Sequence, residues 1–151
     1  MKILSCVLIF LSFSYAQSYT FLLNKYDKEL ELESKIIGKI ASSSLSKDIV
    51  LFIPKITEAE RNIYSKIFTI GLTCEESNFI FVKKNFPEEN LCKNANKLYF
   101  TNNYKKLLSN NRFFGAFFWS KSRPNIVFIK SRLVKNNISL PNSYKQFVED
   151  L

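Results

Sequence analysis

The sequence predicts an α/β protein: a single three-layer domain with a mixed sheet of about five strands, helices on both faces, and a C-terminal β-hairpin followed by a helix. Three observations carry this expectation. Short, wholly apolar runs alternate with stretches whose apolar residues recur every three to four positions, the pattern of strands threaded between helices. The short runs are apolar on both faces, which suits a sheet covered on each side. Finally, 151 residues at 46% hydrophobic and 23% charged make enough chain for one core and are short for two.

The first element is not part of that domain. MKILSCVLIFLSFSYAQSYT has one basic residue at Lys2, an apolar run from Ile3 to Phe13, and small residues at Ser14 and Ala16. This is the pattern of a secretory signal peptide cleaved after Ala16, leaving 17–151, from Gln17, as one exported, periplasmic domain. The run is too short to span a bilayer, which takes about 20 residues, and no later segment is long and apolar enough. Leu4-Ser5-Cys6 carries fragments of a lipobox, but the five residues before Cys6 leave no hydrophobic region ahead of it.

From Asn24 to about Ser42, Leu30, Ile36, Ile37 and Ile40 recur among Lys and Glu, which predicts an amphipathic helix with a solvated polar face. Ile49 to Pro54 is a short apolar strand stopped by proline. Thr57 with Glu60 three residues on forms a capping-box signature, and Ile63, Tyr64, Ile67, Phe68 and Ile70 supply the stripe of the helix it opens. Phe79 to Val82 and Leu98 to Thr101 are two further strands, separated by a polar excursion. Asn102 to Ser109 is a short helix with Tyr104, Leu107 and Leu108 inward.

Phe113 to Trp119 holds five aromatics in seven residues. Strict alternation puts Phe113, Gly115, Phe117 and Trp119 on one face and Phe114, Ala116 and Phe118 on the other, so both faces are apolar and the aromatics are core. Ser120 to Asn125 is a turn by composition, and Ile126 to Lys130 returns as the hairpin partner. A short helix from Ser131 follows. Pro141 then opens a last helix whose stripe is Tyr144, Phe147 and Val148. The exposed rim of the hairpin, Trp119, Lys121, Arg123 and Pro124, together with Arg132, is the candidate partner-binding turn, because loops carry binding more often than strands do.

The chain contains no histidine, which excludes Ser-His-Asp and Cys-His engines and His-based zinc or haem ligation. The three glycines, Gly38, Gly71 and Gly115, are too far apart for a phosphate loop. Glu75-Glu76 and Glu88-Glu89 are adjacent carboxylates, more consistent with solvated turns than with an acid/base couple converging across a cleft. No catalytic residue, cofactor or metal site is expected, although an enzyme working through carboxylates alone stays open. Export changes how the cysteines read. Cys6 leaves with the signal, and Cys74 and Cys92 meet an oxidising compartment, so they are expected to pair; neither a Cys-x-x-Cys motif nor a base supports thiol chemistry.

Charge is unevenly placed. Gln17 to Val82 has 8 basic and 9 acidic residues, whereas Lys83 to Leu151 has 13 basic and 4 acidic. A basic half suits an anionic partner, but the residues are scattered, unlike a phosphate-tracking stripe, which disfavours nucleic acid.

ELELESKIIGKI, a Cys-x-x-x-x-Phe-Ile-Phe strand, then GAFFW and RPNIVFIKSRLVKNNISL before a last helix resemble the YfiR-like periplasmic domains. The match is best in the C-terminal third, where Gly115 to Trp119, Ile126 to Ile129, Leu133 and Ile138 to Leu140 follow the family's order. The resemblance implies a non-enzymatic regulator that contacts the periplasmic part of a membrane-anchored signalling protein of the diguanylate-cyclase type, with a homodimer also open. The sequence departs from the family in having only two mature cysteines and Lys121-Ser122-Arg123-Pro124 at the turn. An alternative of a different class is a soluble periplasmic carrier of a small anionic ligand, held near Lys121, Arg123 and Arg132.

Overall fold

The computed structural model describes residues 25–87, 91–92 and 96–151. The segment expected to be a signal, with its expected cleavage point at Ala16 and Gln17, lies outside the described residues, as do Glu88 and Glu89. Helix α1 covers 25–44. There follow β1 (Val50–Phe52), α2 (Glu58–Tyr64), β2 (Thr69–Ile70), β3 (Phe79–Val82), β4 (Leu98–Thr101), α3 (Tyr104–Ser109), β5 (Phe113–Ser120), β6 (Arg123–Ile129) and α4 (Lys130–Lys135). A 3₁₀ helix, Asn142–Phe147, leads into the last strand, β7 (Val148–Glu149).

The fold is three-layered α/β. Its sheet has seven strands in the order β2-β1-β3-β4-β5-β6-β7, parallel throughout except where β5 and β6 form the hairpin. The two strands beyond the expected five, β2 and β7, are pairs of residues at the sheet's edges, too short to leave a periodic signal. All four residues of β3 and of β4 are buried, as strands covered on both faces must be. One face carries the larger core, where Leu30, Ile37 and Ile40 of α1 and Tyr64 of α2 pack on Phe79, Phe81, Phe100, Phe114 and Phe128. The other is covered by Leu107 of α3, Leu91 and Cys74, packed on Ile80, Val82, Tyr99 and Phe113.

Several local expectations are corrected. α2 stops at Tyr64, because the chain must turn back to lay β2 parallel to β1; Phe68 is buried, Ile67 is exposed, and Ile70 belongs to a strand. Leu108 is exposed, since one and a half turns of α3 bring only Leu107 fully inward, with Tyr104 beside Phe118. The polar face of α1 is not wholly solvated, for Glu33 and Ser34 are buried. The segment after Pro141 is a 3₁₀ helix, with Tyr144 and Phe147 in ring contact and Tyr144 edge-on to Phe128, and Val148 pairs with Phe128 as a strand.

The strict alternation expected along β5 fails at one point. Tyr99 pairs with Phe113 but Phe100 pairs with Gly115, so Phe114 is an extra residue. This β-bulge turns Phe114 and Gly115 to the same side and shifts the pattern beyond it. Phe114 and Phe117 therefore join the α1 face, with Trp119 packed against it, while Phe113 and Ala116 join the α3 face, with Phe118 packed against it. Glycine is required because a Cβ at position 115 would stand 2.7 Å from both Phe100 and Phe128 and 2.8 Å from the Val127 carbonyl. The aromatic stretch is nonetheless core as expected, with Phe113 to Phe117 buried.

Cys74 and Cys92 form a disulfide with Cα atoms 6.0 Å apart. It ties the β2–β3 connection to the β3–β4 connection on the α3 face and fits an oxidising compartment. Among the described residues, no helix is long and apolar enough to cross a membrane.

Candidate functional site

The order β2-β1-β3 means that the chain leaves β1 toward one side of the sheet and resumes on the other. Open α/β sheets form a crevice at such a switch point, outside the carboxyl ends of the strands. Here that crevice is a cavity of about 390 Å³. β1 contributes Pro54 and Lys55 at its end, β3 contributes Lys83 to Phe86, β4 contributes Asn102 and β5 contributes Trp119. α1 lays Tyr26, Leu30 and Glu33 across it, and Thr57 and Glu60 stand at the start of α2. Lys55 holds a left-handed backbone, φ 55°, the turn by which the chain leaves the sheet into the α2 cap.

Two buried carboxylates face one ammonium. Glu60 is fixed on every side: its Oε2 accepts from the Thr57 backbone N–H at 2.9 Å, completing the capping box, and its Oε1 accepts from Lys83 and from the Tyr26 hydroxyl at 3.5 Å. Burial pushes this carboxyl up, but the Lys83 and Thr57 hydrogen bonds outweigh it and hold the group below the usual range. Glu33 has the opposite balance. Its Oε1 accepts from the Tyr64 hydroxyl at 2.6 Å, yet burial, with repulsion from Glu60, exceeds the help of Tyr64 and Lys83 and raises its pKa. Both tyrosine hydroxyls are raised too, by burial first and then by the carboxylates beside them. Lys83 also lies 5.9 Å above the Tyr64 ring. At the base of the crevice Asn102 Oδ1 is shut off from solvent and has no hydrogen-bond donor.

The expected partner-binding residues separate into two places. Trp119 lines the cavity and stacks edge-on against Phe117 at 5.8 Å. It also pairs with Pro124 across the hairpin, next to the Ser120–Arg123 pair. The turn itself is only two residues, Lys121 and Ser122, with φ of 49° and 60°, the mirror-image geometry that suits a hairpin's twist. Arg123 and Pro124, placed in the turn by composition, are therefore exposed strand residues. Arg132 is at the other end of β5. One of its guanidinium nitrogens donates to the carbonyls of Leu107, Asn110 and Phe113 at 2.6, 3.0 and 2.8 Å, so it ties the end of α3 to the start of β5. Lys121, Arg123 and Arg132 thus do not converge.

Sequence reasoning missed Glu33, Lys83 and Asn102. A signal for Glu33 was present, since it falls in the Leu30-Ile37-Ile40 stripe at helical spacing, where a carboxylate is out of place. Lys83 and Asn102 directly follow the buried runs Phe79–Val82 and Leu98–Thr101, at the strand ends where such a crevice opens. Among the described residues, no group of three or more Cys, Asp or Glu is placed to hold a metal ion. No protein-family model matches this chain, and no characterised protein or solved structure is significantly similar to it.

Proposed function

We propose that this chain is an exported, periplasmic binding and regulatory module that performs no catalysis, reads a small ligand in the switch-point crevice, and acts through its hairpin on a membrane-anchored signalling protein. The observation that carries this reading is the position of Trp119. It forms cavity wall on one side and hairpin on the other, within two residues of the exposed Lys121-Ser122 turn. A change at the cavity is thereby one side chain away from the outward-facing surface. Non-catalytic work is favoured because the Glu60 carboxylate is held by Thr57, Lys83 and Tyr26 and kept below the usual carboxylate range, an ionised anchor rather than a group poised for proton transfer. The pattern shared with YfiR-like domains supports a partner of the diguanylate-cyclase type.

The reading is tested by capture from solubilised membranes of the host with the purified mature chain. Arg123→Glu and Trp119→Ala are expected to abolish retention of the membrane partner, while a surface change on the far face, Lys105→Glu, leaves it. Retention of the same protein by both hairpin variants overturns the proposal. The carrier of a small anion is the weaker reading, because the three basic residues expected to hold the anion do not converge and the cavity's buried charges are predominantly carboxylate.

A further inference from the structure

We infer that the crevice takes a small ligand bearing a primary ammonium group, bound with its N–H donors toward Glu33 and Asn102 and its carbon chain against Trp119 and Phe86; this deepens the binding reading above and rests on it. The argument starts from charge. Three ionisable side chains lie within the cavity rather than on its rim: Glu33 and Glu60 are buried, at 8% and 7% exposure, and Lys83 is half-buried. Lys83 is paired with Glu60, so Glu33 is the carboxylate without a cation of its own, its recorded donor being the Tyr64 hydroxyl. Lys55 and Lys84 are exposed at the mouth, where water screens them. A cation is therefore what the interior lacks, and a buried carboxylate gains most from a charged donor.

The second observation is chemical and independent. Asn102 Oδ1 is a buried acceptor without a donor, a condition that costs free energy in a folded protein. Asn102 itself lines the cavity. An anion would meet this acceptor and Glu33 as repulsion, and a quaternary ammonium has no hydrogen to give either of them. A primary ammonium has three. Three aromatic side chains, Tyr26, Phe86 and Trp119, complete the lining and accept the apolar remainder of such a ligand, with their ring faces favouring a positive charge.

Trp119 is the only tryptophan in the chain, so its fluorescence reports occupancy directly. The mature protein is titrated in phosphate buffer with n-butylammonium, with butyrate and 1-butanol as anionic and neutral ligands of the same chain, and with choline as a cation lacking N–H. Butylammonium is expected to give a saturable change at millimolar concentration or below, at least about tenfold tighter than any of the other three, since each charge-assisted hydrogen bond is worth roughly that factor. Glu33→Gln, which keeps shape and hydrogen bonding but not charge, is expected to weaken it about tenfold or more. Asn102→Leu gives a second, smaller loss, and circular dichroism confirms that each variant is folded. Affinity should rise with pH as Glu33 ionises, in the presence of its neighbours Tyr26, Glu29, Glu60, Tyr64 and Lys83, and Glu33→Gln should flatten that rise. Equal or tighter binding of butyrate, 1-butanol or choline overturns the ammonium assignment while leaving a binding crevice. Saturation by none of the four overturns it as well. Neither result touches capture of the membrane partner, which tests the parent reading separately.

Discussion

Tyr64→Phe removes one oxygen from the centre of the molecule and isolates the contribution of the Glu33 contact. Tyr64 has no exposed surface, Glu33 is 8% exposed, and the hydroxyl donates at 2.6 Å to Glu33 Oε1. The ring's packing against Phe68 and Phe81 is kept, so the loss is that of one buried hydrogen bond, about 1.5–3 kcal/mol where Glu33 is ionised. The sign of the pH dependence follows from Glu33. Its folded pKa is raised, chiefly by burial, so it binds a proton in the native state before it does so unfolded, and its ionisation costs stability as pH rises through the interval above the usual carboxylate value. Below that interval Glu33 is neutral and the Tyr64 contact is worth only about 1 kcal/mol. Urea unfolding of wild type, Tyr64→Phe, Glu33→Leu and the double variant at pH 7 and pH 4 gives the coupling energy of the pair, since leucine, unlike glutamine, cannot accept from the Tyr64 hydroxyl. The coupling should exceed about 1 kcal/mol at pH 7 and shrink in acid, and Glu33→Leu should gain on wild type as pH rises. A coupling below about 0.5 kcal/mol at pH 7, or one that grows in acid, refutes the reasoning.

Other perturbations test the frame around the site. Gly115→Ala should cost about 1–3 kcal/mol by overpacking, read as a lower urea midpoint, because its Cβ would meet Phe100, Phe128 and the Val127 carbonyl below 3 Å. Reducing the Cys74–Cys92 bridge, which spans 18 residues of sequence, should lower stability by about 3 kcal/mol, with a double Cys→Ser variant insensitive to reductant as the control. Lys83→Ala leaves the buried Glu60 carboxylate without its cation and should cost about 3 kcal/mol at neutral pH. Because Glu60 is held low in the native state, its stabilising share is present above the usual carboxylate value and lost as pH falls through the folded one, so the penalty of Lys83→Ala should shrink in acid. Arg132→Ala should lower the melting temperature by cutting three carbonyl contacts while leaving capture of the proposed membrane partner unchanged.

What the sequence made legible is what periodicity encodes. The helix over 25–44, the capped start of α2 at Thr57, the fully buried runs Phe79–Val82 and Leu98–Thr101, and the hairpin all left local signals of composition or spacing. The pairing of Cys74 with Cys92 followed from the compartment the N-terminus implied. The bulge at Phe114 did not show, because it is a property of register against β4 and a strand alone does not record its partner. The edge strands β2 and β7, at two residues each, owe their extended form to neighbours already in the sheet. Arg132 seemed part of a binding surface because its distance along the chain from the turn is short; β6 carries it back along the sheet to the opposite end.

The candidate site was hidden for a related reason. Of Glu33, Glu60, Lys83 and Asn102 only Glu33 is out of place in its own segment, and the four become a group only when strand order brings the ends of β1, β3 and β4 beneath α1. Glu60 illustrates the step. In sequence it is half of a capping box, and the structure preserves that role on one carboxylate oxygen while the other is turned into the cavity toward Lys83 and Tyr26. A residue serving only the cap would need no burial, since capping boxes work at helix ends open to water. That this one is buried, and that a second carboxylate beside it is left with a tyrosine instead of a cation, means the fold tolerates unfavourable charge at the one place where a strand switch opens a crevice. Such a cost persists in a structure where something other than stability holds it there, and an ammonium ligand drawn between Glu33 and Asn102 would offset it.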